Sequence, residues 1–88
     1  MYIKNYLESY VEEIAREQLK KYKEYKDNER ILMDVMALAL NNLKPMYVVH
    51  DKGHILTEVR LSSEQIRAQV LVAVLQAIKK VLSNPDYK

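Results

Sequence analysis

The chain has 88 residues with 14 basic and 12 acidic side chains, which gives a formal net charge of +2. This length predicts a single domain, residues 1–88, and the near balance of charge gives no reason to expect nucleic-acid binding. The chain contains no cysteine, which excludes a cysteine-ligated zinc site, a redox pair and a thiol nucleophile, and is compatible with a reducing cytoplasm.

The first predicted element is a helix over residues 3–25. Its apolar residues recur mostly at three- and four-residue spacing, as in a helix with one buried stripe: Ile3, Leu7, Val11, Ile14 and Leu19. Glutamates lie early in this segment and lysines lie late, an order that suits the helix dipole. Asp27 and Asn28 then predict a break, or the N-cap of a second helix.

A second helix is predicted over residues 29–43. Apolar side chains cover most of its circumference, which is typical of a helix that is buried on several sides. Asp34 is the one charge inside this apolar run. Pro45 removes a backbone donor and disfavours helical backbone at Lys44, so we expect the helix to end before it.

A β-hairpin follows. Residues 47–50 are β-prone, and residues 55–61 alternate apolar and polar side chains, a pattern that predicts one buried face. Between them lie Asp51, Lys52 and Gly53, the only glycine of the chain, where a tight turn needs positive φ. A lone hairpin is marginally stable in water, so it should pack on the helices or pair with another sheet edge.

The third predicted helix covers residues 63–82. Ser62 and Gln65 have the spacing of a capping box, and Asn84 followed by Pro85 predicts the end of the helix. The run 70–75 is entirely apolar, but it is far shorter than the ~20 residues of a membrane span. We therefore expect a cytoplasmic protein without a membrane segment.

Together these elements predict a mainly α, α+β fold with three helices and a hairpin between the second and the third. Two of the helices have apolar side chains on more than one face. The other elements of a single copy are too few to bury all of this apolar surface. We therefore expect a homodimer that buries the excess, above all that of residues 70–75. On this interpretation, Val74→Asp or Leu71→Asp would give a monomer or an unfolded chain.

The junction between the second helix and the hairpin places Asp, Asn, Pro and Tyr at fixed offsets from apolar positions. The pattern comprises Asp34, Val35, Ala37, Leu38, Ala39, Leu40, Asn41, Leu43, Pro45, Tyr47 and Val48, and more loosely Gly53 and the stretches 67–70 and 84–85. On these residues the chain resembles the late-competence ComFB family. Many relatives carry a cysteine cluster just before the pattern, suited to a structural zinc. Lys26, Asn28 and Ile31 stand there in this chain, so no metal is expected.

The resemblance implies a small, non-enzymatic regulatory module: a dimeric receptor or adaptor for a cyclic dinucleotide, cyclic di-GMP or cyclic di-AMP, that also binds a partner protein. The alternative is a purely structural protein–protein interaction module linked to competence, with no small-molecule ligand. No cofactor is expected. No nucleophile–base pair or pair of carboxylates indicates catalysis, and His50 and His54 lack a third metal ligand.

Four residues are the candidates for ligand binding: Asn41, Tyr47, Arg60 and Arg67. An amide and a tyrosine ring can hydrogen-bond to a nucleobase and stack on it, and a guanidinium binds phosphate at two points. Arg67 also lies in the first turns of the third helix, where the backbone favours anions. The structural alternatives are a helix C-cap for the asparagine, packing of the tyrosine ring, and surface ion pairs of the arginines with Glu58 or Glu64.

Overall fold

The structure, a computed structural model, describes residues 1–84. In chain order its elements are β1 Tyr2–Asn5, α1 Leu7–Leu19, α2 Glu29–Asn41, β2 Tyr47–Asp51, β3 His54–Ile55 and α3 Ser63–Leu82. The predicted α+β fold, with three helices and a hairpin between the second and the third, is confirmed for this part of the chain. The structure adds a third strand, because β1 joins the hairpin in an antiparallel sheet of order β1-β2-β3.

The predicted first helix, residues 3–25, is wrong at both ends. The first residues pair with β2 instead, from Tyr2 opposite His50 to Asn5 opposite Tyr47. Ile3 therefore lies in a strand, where it is 69% exposed, and not on the buried stripe of α1. Local periodicity could not indicate this, because the hydrogen-bonding partner of β1 lies beyond α2 in the chain.

The connection between α1 and α2 is a series of turns. Tyr25 is buried there, while Lys26 and Asp27 adopt positive φ angles of 46° and 53°, which a right-handed helix cannot contain. Asn28 is the N-cap of α2, because its side-chain oxygen accepts hydrogen bonds from the backbone N–H groups of Arg30 and Ile31. The burial of Tyr25 and the N-cap at Asn28 thus fix the connection between α1 and α2.

The three helices pack on one another and form the core. The buried residues are Leu7, Val11, Ile14, Ala15 and Leu19 of α1, Ile31, Leu32, Val35 and Ala39 of α2, and Ile66, Val70, Ala73, Val74, Ala77, Ile78 and Val81 of α3. At the surface, Arg16 of α1 donates hydrogen bonds to Glu12 of the same helix and to Glu29 of α2. These two carboxylates raise the pKa of Arg16.

Helix α3 has the predicted bounds and the predicted capping box. Ser62 Oγ accepts a hydrogen bond from the backbone N–H of Gln65, and the Gln65 side chain accepts one from the backbone N–H of Ser62. Helix α2 ends two residues earlier than predicted, at Asn41. Pro85, part of the predicted stop after α3, lies outside the described residues.

Part of the apolar run 70–75 of α3 stays at the surface of a single copy. Val70 and Val74 are fully buried against the other helices, whereas Val72 and Leu75 are exposed, at 57% and 40%. The choice of Val74 as a position of the dimer surface is therefore wrong, because Val74 belongs to the core of a single copy. The homodimer itself stays a prediction.

The predicted second strand of the hairpin, residues 55–61, is also too long. A two-residue turn connects β2 to β3, and Lys52 and Gly53 both have positive φ, 49° and 83°, as the tight turn requires. Regular pairing ends after Ile55. One residue further on, the backbone N–H of Leu56 still donates a hydrogen bond to the Val49 carbonyl. The Val49 N–H, however, donates to the Thr57 hydroxyl and not to a backbone carbonyl of this segment.

The Asn5 side chain joins the two parts of the fold. Its Oδ1 accepts hydrogen bonds from the backbone N–H of Leu7, at the start of α1, and from that of Met46, just before β2, both at 3.1 Å. Tyr6 adds a backbone hydrogen bond to the Met46 carbonyl. One amide group therefore caps the first turn of α1 and holds the residue that begins β2 beside it.

We predict that Asn5→Ala destabilises the protein by about 1–3 kcal/mol, because it leaves two part-buried backbone donors without their acceptor. Urea unfolding followed by circular dichroism measures this loss. Asn41→Ala is the matched control, since the Asn41 side chain is exposed and forms no hydrogen bond within residues 1–84, and should change stability by less than about 0.5 kcal/mol. Equal effects of the two substitutions would contradict the role of Asn5.

We predict that Val74→Asp prevents folding of a single copy, with a loss of about 4 kcal/mol or more, because it buries an unpaired charge. Val72→Asp should cost about 1 kcal/mol or less, since Val72 is exposed on the same helix. Thermal unfolding of the two variants makes the comparison. A folded, monomeric Val74→Asp variant would show that the assignment of Val74 to the core is wrong.

Candidate functional site

The segment between α2 and β2 and the segment between β3 and α3 lie side by side and enclose a cavity of about 480 Å³. Its lining comprises Lys44, Pro45, Met46, Tyr47, Val48, Thr57, Glu58, Val59, Arg60, Leu61 and Gln69. We call this space the junction cavity. Two of the four predicted site residues, Tyr47 and Arg60, line it together.

Alternation along both walls exposes the polar side chains. Met46 packs against the core and Val48 is buried, so that Tyr47 between them points outward and is 60% exposed. On the opposite wall Val59 and Leu61 pack against the core, which leaves Arg60 between them exposed. Each segment thus exposes one side chain between two neighbours that pack inward, a phenol ring from one segment and a guanidinium from the other.

Lys44 brings a second positive charge to the junction cavity. Among the described residues Glu58 is the only carboxylate in its lining, so the two cations Lys44 and Arg60 outnumber the acidic groups there. Within residues 1–84, neither cation forms an ion pair or a side-chain hydrogen bond. The cavity thus offers an aromatic ring, two positive charges without an ion pair in this part of the chain and the amide of Gln69, a set that can bind a phosphate and a planar ring at the same time.

Asn41 lines a different cavity, which also includes Tyr47. A second cavity, of about 430 Å³, is lined by Asn5, Glu8, Leu40, Asn41, Leu43, Pro45 and Tyr47. Pro45 and Tyr47 line both spaces, and Asn41 lies next to the junction cavity without lining it. The C-cap of α2 is the neighbouring Asn42, which has φ of −100° rather than a left-handed conformation and whose side-chain amide donates to the Leu38 carbonyl.

The structure does not bring Arg67 to this site. Its guanidinium donates to Glu17 of α1 at 3.1 Å, which joins α3 to α1. Neither Glu58 nor Glu64, the two acceptors that the sequence suggested for the arginines, is this partner. Arg67 is thus placed as a surface ion pair between helices, where both side chains are about half exposed.

Lys44 and Gln69 are two lining residues with ligand-binding groups that the sequence did not indicate as site residues. Lys44 precedes Pro45 at the very junction that the motif marks, so its position was a usable signal. Gln69 lies in the first half of α3, and nothing in its own surroundings in the sequence indicates that it faces the segment after α2.

One histidine and three of the other tyrosines form ring contacts outside the junction cavity. His50 stacks on Tyr2 across β1 and β2, with ring centroids 5.0 Å apart, and Tyr6 meets Tyr10 edge to face. The hydrogen bond with Tyr10, together with burial, raises the pKa of Tyr6. Among residues 1–84 no three His, Cys, Asp or Glu side chains stand close enough together to hold a metal ion.

This architecture is that of a small α+β domain with a cationic cleft where its second helix meets its sheet. A comparison with protein families matches residues 4–85 to the family described as late competence development protein ComFB. The match covers nearly the whole chain, and the chain therefore belongs to the ComFB family, which is linked to late competence. Searches of curated proteins and of solved structures found no match.

None of the helices within residues 1–84 combines the length and the apolar character that are needed to cross a bilayer.

We predict that Thr57→Val loosens the wall of the junction cavity that carries Arg60, because the Val49 N–H loses the hydroxyl that accepts its hydrogen bond at 2.9 Å. The loss of stability should be about 0.5–1.5 kcal/mol. Hydrogen exchange of the Val49 amide, followed by NMR, measures the effect directly. Thr57→Ser keeps the hydroxyl and should retain most of the protection, and equal exchange in both variants would contradict this anchoring.

Proposed function

We propose that this ComFB-family chain is a non-enzymatic, cytoplasmic, dimeric receptor or adaptor, and that the junction cavity binds a cyclic dinucleotide. The observation that carries the proposal is the convergence of Tyr47, Arg60 and Lys44 on one open cavity. Its volume of about 480 Å³ lies within the range of about 300–1,000 Å³ that small-molecule sites occupy.

Each lining residue matches one part of such a ligand. The Tyr47 ring offers a face for a base, Arg60 can contact a phosphodiester at two points, and Lys44 contributes a second, less directional positive charge. Gln69 can donate to the edge of a base and accept from it. A dianionic ligand would also neutralise two cations that have no carboxylate partner within the described residues.

The alternative function is a protein–protein interaction module without a ligand. The exposed side chain of Val72 favours it, since Val72 lines a shallow groove of about 510 Å³ together with Asn42, Leu43, Lys44, Ala68, Gln69, Ala73 and Gln76. This groove shares Lys44 and Gln69 with the junction cavity. A protein partner bound in this groove would therefore compete with a ligand in the junction cavity. If the chain is a receptor, the ligand would regulate binding of the partner through this competition.

Titration calorimetry of the purified protein with cyclic di-GMP and with cyclic di-AMP decides between the two functions. We expect saturable heat with at least one of them, and a rise in melting temperature with the same compound, because a ligand at 100 times its dissociation constant adds about 2.7 kcal/mol of stability. Absence of both effects at high micromolar concentrations would reject the receptor function and leave the interaction module.

We predict that Arg60→Ala weakens binding of the cyclic dinucleotide by about 10- to 100-fold, the effect of removing a charge-assisted hydrogen bond. Arg60→Lys should recover only part of the affinity, because it keeps the charge and loses the two-point geometry.

Arg67→Ala is the matched control, since Arg67 is paired with Glu17 outside the junction cavity, and it should bind as the wild type does. A loss in Arg67→Ala that equals the loss in Arg60→Ala would show that the site lies elsewhere.

A further inference from the structure

The two edges of the sheet differ. At one edge, regular pairing of β3 ends after His54–Ile55, and the Thr57 hydroxyl occupies the next hydrogen-bonding position, so this edge is short and irregular. At the other edge, β1 presents four regular residues, and Lys4 is its only charged side chain. Proteins protect an exposed edge with short strands, charges, prolines, bulges or a covering segment, and of these β1 has its short length and one lysine but neither a proline nor a break in its register.

The pairing of β1 with β2 shows which backbone groups are free. The backbone N–H of Tyr6 donates to the Met46 carbonyl. Because hydrogen-bonded and non-hydrogen-bonded pairs alternate in an antiparallel ladder, the residues of β1 that bond to β2 are Lys4 and Tyr2. The N–H and C=O of Ile3 therefore point away from β2, toward the open edge. Consistently, the N–H and C=O of Val49, opposite Ile3, are used on the β3 side, by Thr57 and Leu56.

The open edge is also apolar. Ile3 lies opposite Val49, and Leu56 lies beyond Val49, so these three side chains form a row across one face of the sheet. Ile3 is 69% exposed and Leu56 is 59% exposed. A strand added to β1 would extend this row and would cover the side of Ile3 that is now in water.

We infer that β1 pairs antiparallel with β1 of a second copy of this chain, with Ile3 opposite Ile3 of that copy, so that the two sheets become one. In this register Tyr2 lies opposite Lys4 of the second copy, and the ammonium group can approach the tyrosine ring. A shift that placed Lys4 opposite Lys4 would set like charges against each other, so the charges of β1 select the first register.

This inference rests on the dimer of the proposed function, but it does not depend on the ligand. It locates the contact on β1 and not on the apolar run of α3, where most side chains are already buried in one copy. The two outer edges of the joined sheet would both be β3, which the Thr57 side chain already interrupts, so the assembly would stop at two copies.

Because the chain has no cysteine, a single introduced thiol reports the register. Hydrogen-bonded antiparallel partners have Cα atoms about 5.5 Å apart, within the range of about 4.4–6.8 Å that a disulfide needs. Under mild oxidation, Ile3→Cys should become a covalent dimer. Lys4→Cys should stay largely monomeric on a non-reducing gel, because two residues 4 would be separated by roughly 8 Å.

Sedimentation equilibrium tests whether dimerisation depends on the β1 edge. Wild type at about 100 μM should have twice the monomer mass of 10.4 kDa. Ile3→Pro should have the monomer mass, because it removes an N–H that faces outward without taking a hydrogen bond from β2. Ile55→Pro is the matched control, since the N–H of Ile55 points outward at the β3 edge, and it should remain dimeric.

A monomeric wild type would overturn both this pairing and the proposed dimer. A dimeric wild type in which Ile3→Cys does not cross-link, or in which Lys4→Cys cross-links better, would overturn the pairing alone. If Ile3→Pro fails to fold, as judged by circular dichroism, cross-linking of Ile3→Cys decides the question.

Discussion

The antiparallel pairing of β1 with β2 is the contact on which the arrangement of the remaining elements depends. It brings the residues before α1 next to the residues after α2, and the Asn5 amide then holds Leu7 and Met46 through a single oxygen atom. The start of α1 and the start of β2 are thus held together by hydrogen bonds, while the helices are held together by apolar packing. The candidate site lies where these two kinds of stabilisation meet.

The candidate site follows from two segments that cross the edge of a helical core, each with one exposed side chain between two neighbours that pack inward. The residues that pack inward leave the side chain between them facing outward. Met46 and Val48 leave Tyr47 outside, and Val59 and Leu61 leave Arg60 outside. The two exposed side chains of the candidate site are therefore oriented by the apolar residues beside them, and little stability depends on Tyr47 and Arg60 themselves.

Three of the arginines show how the neighbours of a side chain decide its use. Arg16 joins α1 to α2 through Glu29 and also pairs with Glu12 of its own helix, and Arg67 joins α3 to α1 through Glu17. Arg60 has no such partner within residues 1–84, because the segment that carries it turns it toward the junction cavity. An exposed ion pair contributes little to stability, but a cation without a partner remains available to an anion.

The sequence by itself determined the elements whose signals are local. The capping box at Ser62 and Gln65, the N-cap at Asn28 and the turn at Lys52 and Gly53 each depend on residues within a few positions, and all three are present. That Tyr47 and Arg60 lie close to the junction of α2 and β2, where they line one cavity, could also be predicted, because the motif and the alternation of residues 59–61 lie in the chain itself.

Only the tertiary structure decided what depends on distant partners. The strand β1 exists because β2 offers it hydrogen bonds, and the second strand of the hairpin ends early because the Thr57 hydroxyl replaces a backbone carbonyl. Lys44 and Gln69 line the candidate site, although the sequence did not indicate them, and Arg67 lies outside it, paired with Glu17. Both placements result from packing of segments that are far apart in the chain. Periodicity shows which residues avoid water, but it cannot show which neighbour covers them, so the burial of Val74 and the exposure of Ile3 could be learned only from the fold.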